Sequence, residues 1–118
     1  RFPAVRRLKD PADFQRVFRK PVKLGTPEFT VYARRNGLDH ARLGLAVSRR
    51  VSRAAVGRNR IKRIIRESFR HCQQSWAGWD VIFVARAGAT QRSNQQLFEI
   101  LDQIWARLAK RCENSSPA

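Results

Sequence analysis

Arg58, Asn59, Arg60, Lys62, Arg63, Arg66 and Arg70 crowd into residues 57–70, GRNRIKRIIRESFR, where Glu67 is the only acid. Guanidinium forks grip phosphate oxygens two at a time, so the chemistry open to such a run is the capture of a polyanion. Wound as a helix, the stretch places Ile61, Ile64, Ile65, Phe69 and Cys72 within one arc that can bury. Lys62, Arg66 and Arg70 form a ridge beside that arc, with Arg63 adjacent. Arg58 and Arg60 fall in the first turn, where cations reinforce the positive end of the helix dipole instead of offsetting it. That focus of charge suits a phosphate, and Asn59 adds a side chain able both to donate and to accept. Ser48, Arg49, Arg50 and Arg53 extend the positive region upstream. A solvated surface helix is the plainer alternative, but unopposed like charges four apart are mildly destabilising, which favours a face that holds something negative.

A second set is aromatic. Phe14 and Phe18 lie four apart and share a face of a short helix. Opposite them, Tyr32 and the small residues Gly44, Ala46 and Ser48 would leave a shallow sheet face that something can approach closely. Aromatic platforms flanked by cations bind single-stranded RNA with little sequence demand. The residues alone equally allow both phenylalanines to be core. A catalytic constellation is not evident. The acids are scattered, with no metal-binding spacing of the kind a magnesium-dependent nuclease needs. Glu99 and Asp102 read as solvation of the last helix, and neither His40 nor His71 has an evident carboxylate partner. Cys72 and Cys112 lie far apart and read as reduced thiols.

Composition agrees with a polyanion partner. In 118 residues, 25 Lys and Arg face 9 Asp and Glu for a net charge of +16, and twenty of those cations are Arg. Such an excess repels itself in a folded chain unless a polyanion offsets it. Hydrophobic residues make up 42%, enough for one modest core. An apolar run near the length of a membrane span is absent. The opening RFPAVRRLKD lacks the apolar stretch of a signal peptide and, without a methionine, reads as trimmed, so the cytoplasm is expected.

The elements that must position these groups follow from local signals. Residues 1–8 read as an irregular basic arm. Asp10 caps and Pro11 opens a helix to about Arg19, which Pro21 stops. EFTVYARR alternates as a strand, with Phe29, Val31 and Ala33 on one face and Thr30, Tyr32 and Arg34 on the other. Asn36-Gly37 is expected to begin a hairpin connection into RLGLAVSRR, which carries Leu43, Leu45 and Val47 on one face. The basic helix should run from about Ala54 to Gln74 as a crossover between strands. DVIFVARAG reads as a strand covered on both faces. Ser93 caps a last helix with Leu97, Ile100, Leu101, Ile104, Trp105 and Leu108 as its stripe. One domain over 1–112 and a frayed tail over 113–118 are expected, as an α+β or α/β sandwich.

AVGRNRIKRIIRESFR closely resembles the RNR signature of the bacterial ribonuclease P protein family, the small basic subunit that works with a catalytic RNA. FPAVRRLKDPADFQRVF, LGTPEFTVYARRN, RLGLAVSRR, DVIFVARAG and ILDQIWARL fall in the family's order and spacing, and residues 49–57 resemble its longer loop variant. The resemblance implies an α+β two-layer sandwich of order α-β-β-β-α-β-α, like the second domain of ribosomal protein S5. It adds a short strand around Val22 to Leu24 that periodicity does not reveal. It also implies a left-handed crossover, where general rules expect a right-handed one. Carried over by position, the catalytic-RNA surface comprises Arg49, Arg50, Arg53, Arg58, Asn59, Arg60, Lys62, Arg63, Arg66 and Arg70. The surface for the 5′ leader of precursor tRNA comprises Phe14, Phe18, Tyr32, Ser48 and Arg86. The implied role is a noncatalytic subunit of an endoribonuclease that removes those leaders, monomeric and one per RNA, with Mg²⁺ held mainly by the RNA and no metal or catalytic residue in the protein. A plain RNA-binding or ribosomal protein, indifferent to the leader, is the first rival. An autonomous nuclease is the second.

Overall fold

Asp10 accepts a hydrogen bond from Ala12 N at 3.0 Å and starts α1, Pro11–Arg19. In the computed structural model, which describes residues 4–114, α1 is followed by β1 (Val22–Gly25), β2 (Phe29–Arg35) and β3 (Arg42–Ala46). Next come α2 (Ala55–Cys72) with a 3₁₀ turn over Gln73–Trp76, β4 (Trp79–Ala85), a second 3₁₀ turn over Ala87–Gln91, and α3 (Asn94–Glu113). This is the expected order in an α+β fold, with the short strand included. Thr26 makes the β1–β2 hairpin. Its N–H donates to Phe29 O at 2.8 Å while its hydroxyl oxygen accepts from Phe29 N at 3.0 Å. Ser93 and Gln96 form a reciprocal capping box at the start of α3.

Asn36-Gly37 does not begin a hairpin. The sheet order is β1-β2-β4-β3, so β4 lies between β2, to which it is antiparallel, and β3, to which it is parallel. The reason is burial. Val81, Ile82 and Phe83 are wholly buried, and a strand apolar on both faces belongs at the sheet's centre. Asn36 instead shapes a wider loop, accepting from Leu38 N at 2.8 Å and donating to His40 O at 3.1 Å. The basic arm is also more ordered than expected over the part described. Leu43 N donates to Arg6 O and Leu8 N to Leu43 O, each at 2.9 Å, so the arm lies along the free edge of β3 with Leu8 buried.

The core forms where α2 and α3 cover one sheet face. Phe29, Val31, Ala33, Leu43, Val81 and Phe83 meet Ile61, Ile64, Ile65 and Phe69 from α2, and Leu97, Leu101, Ile104, Trp105 and Leu108 from α3. Phe83 packs 5.7 Å from Phe29 and 5.1 Å from Trp105, ring centre to ring centre, in edge-to-face geometry. The buried Trp105 indole is satisfied by Ser68 Oγ at 2.9 Å. Phe83→Ala should therefore cost about 3–5 kcal/mol, read as a lowered urea midpoint at unchanged slope. The opposite face is only partly covered, by α1 with Val17 and Leu8 packed on Ile82. No helix among the described residues is long and apolar enough to cross a membrane.

Candidate nucleic-acid interface

Helical spacing gives α1 three working faces. Val17, wholly buried, faces the sheet; Phe14 and Phe18 project on one flank, Asp13 and Arg16 on the other. Gly44, Ile82 and Tyr32 are cross-strand partners in one row, and α1 spans that row from β3 to β2. At its β3 end Phe14 sits on Gly44, where an added β-carbon would lie 2.7 Å from Phe14 Cζ and 3.1 Å from Ile82 Cγ1. At its β2 end Phe18 stands edge-on to Tyr32 with centroids 4.9 Å apart. The Phe14 and Phe18 rings are 6.3 Å apart, and Lys23 Nζ lies 5.6 Å from the Tyr32 ring. Phe18 is 44% exposed, while Phe14 and Tyr32 are half-buried. The sequence left core and slot open for these phenylalanines. In the fold Phe14 packs on the Leu8, Val17 and Ile82 cluster while Phe18 stands exposed, and the two rings flank the strip of sheet through Gly44, Ile82 and Tyr32.

That strip continues through the next row, Thr30, Val84 and Ala46. Ser48 and Arg86 follow by alternation just past the ends of β3 and β4, both exposed. Arg86 is anchored through its guanidinium to Thr26 O at 3.1 Å. The structure thus brings Phe14, Phe18 and Tyr32 into contact, with Ser48 and Arg86 farther along the same face.

The other flank of α1 carries a group that sequence reasoning missed. Asp80, fully buried, accepts from Arg42 at 2.9 and 2.8 Å, from Asn36 Nδ2 at 2.9 Å, and from Arg16. Arg34 donates to Arg16 O at 2.6 Å, and Arg42 reaches Asp13 at 3.4 Å. A lone acid opening an apolar strand was the available signal. Its partners emerge only once β4 is known to lie between β2 and β3.

On α2 the cations divide by what they touch. Arg58 donates to Ser52 O at 3.0 Å and Arg53 O at 2.7 Å, which ties down the loop before the helix. Gly57 belongs to the same clamp, since a β-carbon there would meet Ser52 Oγ at 2.3 Å. Arg60 reaches Asn94 Oδ1 at 2.5 Å and so links α2 to the start of α3. Arg70 pairs with Glu67 at 2.9 Å. Asn59 and Arg63 are exposed. Arg49, Arg50, Arg53 and Arg58 surround an open concavity of about 730 Å³. Lys62 and Arg66 share a second, of about 180 Å³, with Arg7 and Lys9 of the arm. Burial, then the like charges of Arg7 and Arg63, lowers the pKa of Arg66. That crowding of cations without an acid in the lining is what a bound polyanion would relieve.

Neither cysteine forms a disulfide. Burial and the charge of Asp102 push the half-buried Cys72 thiol up to about 12, and burial pushes the Cys112 thiol to about 11. The thiolate is the reactive form, so at pH 8 native Cys72 should alkylate roughly a thousandfold more slowly than in the unfolded chain. The same shifts have a stability sign. A thiol held neutral in the fold stabilises it below the ordinary thiol range, and that contribution is lost as pH rises toward 11 and 12. Time-resolved mass spectrometry with iodoacetamide, with and without denaturant, measures the protection.

Comparison with known proteins adds sequence and shape. The family model for ribonuclease P matches residues 2–109. The ribonuclease P protein component of Histophilus somni is 46% identical over 101 residues, spanning 86% of this chain and 85% of that protein. Its counterpart in Vibrio vulnificus is 44% identical over 104 residues, 88% of each chain. The solved RNase P protein of Staphylococcus aureus superposes with a TM-score of 0.80 at 37% identity, over 85% of this chain and 92% of that one. The protein from Thermotoga maritima gives 0.74 at 30% identity, over 86% and 96%.

Proposed function

The chain belongs to the ribonuclease P protein family, and from that premise we propose that it binds a catalytic RNA through α2 and the preceding loop, and the single-stranded 5′ leader of precursor tRNA through the slot beside α1. The holoenzyme hydrolyses one phosphodiester bond at the mature 5′ end. In this reading the RNA carries the catalysis and Mg²⁺. The protein's part is binding. Arg49, Arg50, Arg53, Lys62, Arg63 and Arg66 offset phosphate charge on the RNA and Asn59 hydrogen-bonds it, while Arg58 and Arg60 hold the loop and helix that present them. Phe14, Phe18 and Tyr32 stack leader bases, with Ser48 and Arg86 farther along the path. One monomer per RNA, in the cytoplasm, completes the assembly.

The observation that carries this reading is the pairing of two unlike surfaces on one small domain. A phosphate-seeking ridge alone fits any RNA. An open aromatic slot is wasted on duplex RNA, whose bases are stacked and paired, and suits a single strand. Discrimination then follows, because mature tRNA lacks the segment that fills the slot. The test is equilibrium binding of precursor and mature tRNA to the complex reconstituted with a ribonuclease P RNA. Precursor should bind at least about fivefold more tightly, the lower value of one stacked base. Equal affinities would reduce the chain to a general RNA-binding protein.

A further inference from the structure

The ion cluster around Asp80 lies behind the slot, on the flank of α1 away from its aromatics. Beside the packing of Val17, Phe14 and Phe18, it is what holds α1. The helix is nine residues long and buries only Val17 completely. Beneath it, the row Arg34, Asp80 and Arg42 adjoins the row Tyr32, Ile82 and Gly44 that floors the slot. Arg16 reaches down from α1 to Asp80, Arg42 reaches across from β3, Asn36 reaches in from the β2–β3 loop, and Arg34 of β2 caps the Arg16 carbonyl. α1, β3 and the β2–β3 loop thus meet at one carboxylate of β4, and β2 is fastened to Arg16 through Arg34. The cluster has an electrostatic consequence as well. Arg16 and Arg42, two cations within reach of a polyanion, are committed to a buried acid, which makes the back flank of α1 a poor path for RNA and leaves the front flank open.

We infer that Asp80, acting through Arg16, is a positioning residue for single-stranded RNA: it sets the seat of α1 on the sheet, and thereby the width of the slot between the Phe14 and Phe18 rings and the strip through Val84. This deepens the leader-binding reading and rests on it. Losing Arg16 cuts α1 from a carboxylate that still keeps Arg42 and Asn36, and losing Asp80 leaves Arg16 and Arg42 only Asp13 among the described acids. Either change lets α1 shift and spoils stacking without touching α2.

The test uses the holoenzyme reconstituted with a ribonuclease P RNA, and compares Arg16→Gln, Asp80→Asn, Phe18→Ala and the double variant Arg16→Gln/Phe18→Ala. Arg16 is partly exposed, so its variant remains informative where Asp80→Asn fails to fold. Arg16→Gln should lower the precursor-over-mature preference roughly tenfold, the value of one lost stack, with affinity for the RNA subunit within about twofold of wild type. The double variant should lose clearly less than the two single losses combined, because Arg16 acts through the aromatic flank. Additive losses would mean that Arg16 meets the RNA directly and would overturn the inference, as would an unchanged preference in folded Arg16→Gln. A wild-type complex that does not prefer precursor would remove the slot reading itself, and this inference with it.

Discussion

Replacing Phe14 and Phe18 together by alanine should cut the preference for precursor over mature tRNA by about thirtyfold or more while leaving the affinity for the RNA subunit nearly intact. Stacking on an aromatic side chain contributes about 1–3 kcal/mol per base, so two lost platforms remove at least about 2 kcal/mol, and each 1.4 kcal/mol is a factor of ten. The rings differ in what else they do. Phe18 stands exposed and perpendicular to Tyr32, so its loss is chiefly a loss of binding surface. Phe14 also covers Gly44 and Ile82, so its truncation opens a gap under α1. A less disruptive companion is Gly44→Ala. Its new methyl group would lie 2.7 Å from Phe14 Cζ and displace that ring while deleting nothing. Binding of both tRNA forms, alongside thermal melting of each variant, decides the matter. A folded double variant with its preference intact would contradict the slot. An unfolded one would make both rings core, and Gly44→Ala would then carry the test.

The second large effect belongs to α2. Lys62→Gln, Arg63→Gln and Arg66→Gln combined should weaken association with the RNA subunit severely and flatten its salt dependence. Each phosphate contact contributes about 0.7–0.9 to the slope of log affinity against log salt, so three lost contacts should flatten it by about 2 to 3. These three are chosen because, among the described residues, none of them is tied into the fold as Arg58 is to the loop or Arg60 to Asn94. The crowding of Arg66 with Arg7 and Arg63 predicts a further sign: relief of like-charge repulsion should leave the triple variant no less stable than wild type in the absence of RNA. Titrations at several salt concentrations give both affinity and slope. An unchanged slope would remove α2 from the interface. Arg60→Ala, by contrast, should lower both affinity and stability, since it releases Asn94 at the start of α3.

Much of this surface was legible because the signals are local. Asp10-Pro11 fixes the start of α1, and the spacing of Ile61, Ile64, Ile65 and Phe69 fixes which side of α2 is buried, which in turn exposes the cations. Alternation in β2 correctly assigns Phe29, Val31 and Ala33 to the core and Tyr32 to the other face. What escaped was non-local. The Asn36-Gly37 pair has the chemistry of a tight turn, yet strand pairing is decided by which strand most needs burial, and β4 wins the centre. From that misplacement follows the missed Asp80 cluster, because its members meet only across β2, β4 and β3. β1 is only four residues long with Leu24 alone fully buried, too short for periodicity to reveal, and entered through family resemblance. The roles of Arg58 and Arg60 as clamps were equally invisible, since a guanidinium aimed at a carbonyl and one aimed at solvent are the same letter in the sequence.

The most direct measurement is cleavage of a labelled precursor tRNA at low Mg²⁺ by the protein alone, by a ribonuclease P RNA alone, and by both together. The account predicts that only the combination cuts efficiently, and at the mature 5′ end. Cleavage by the protein alone, or no enhancement of a cognate RNA, would contradict it.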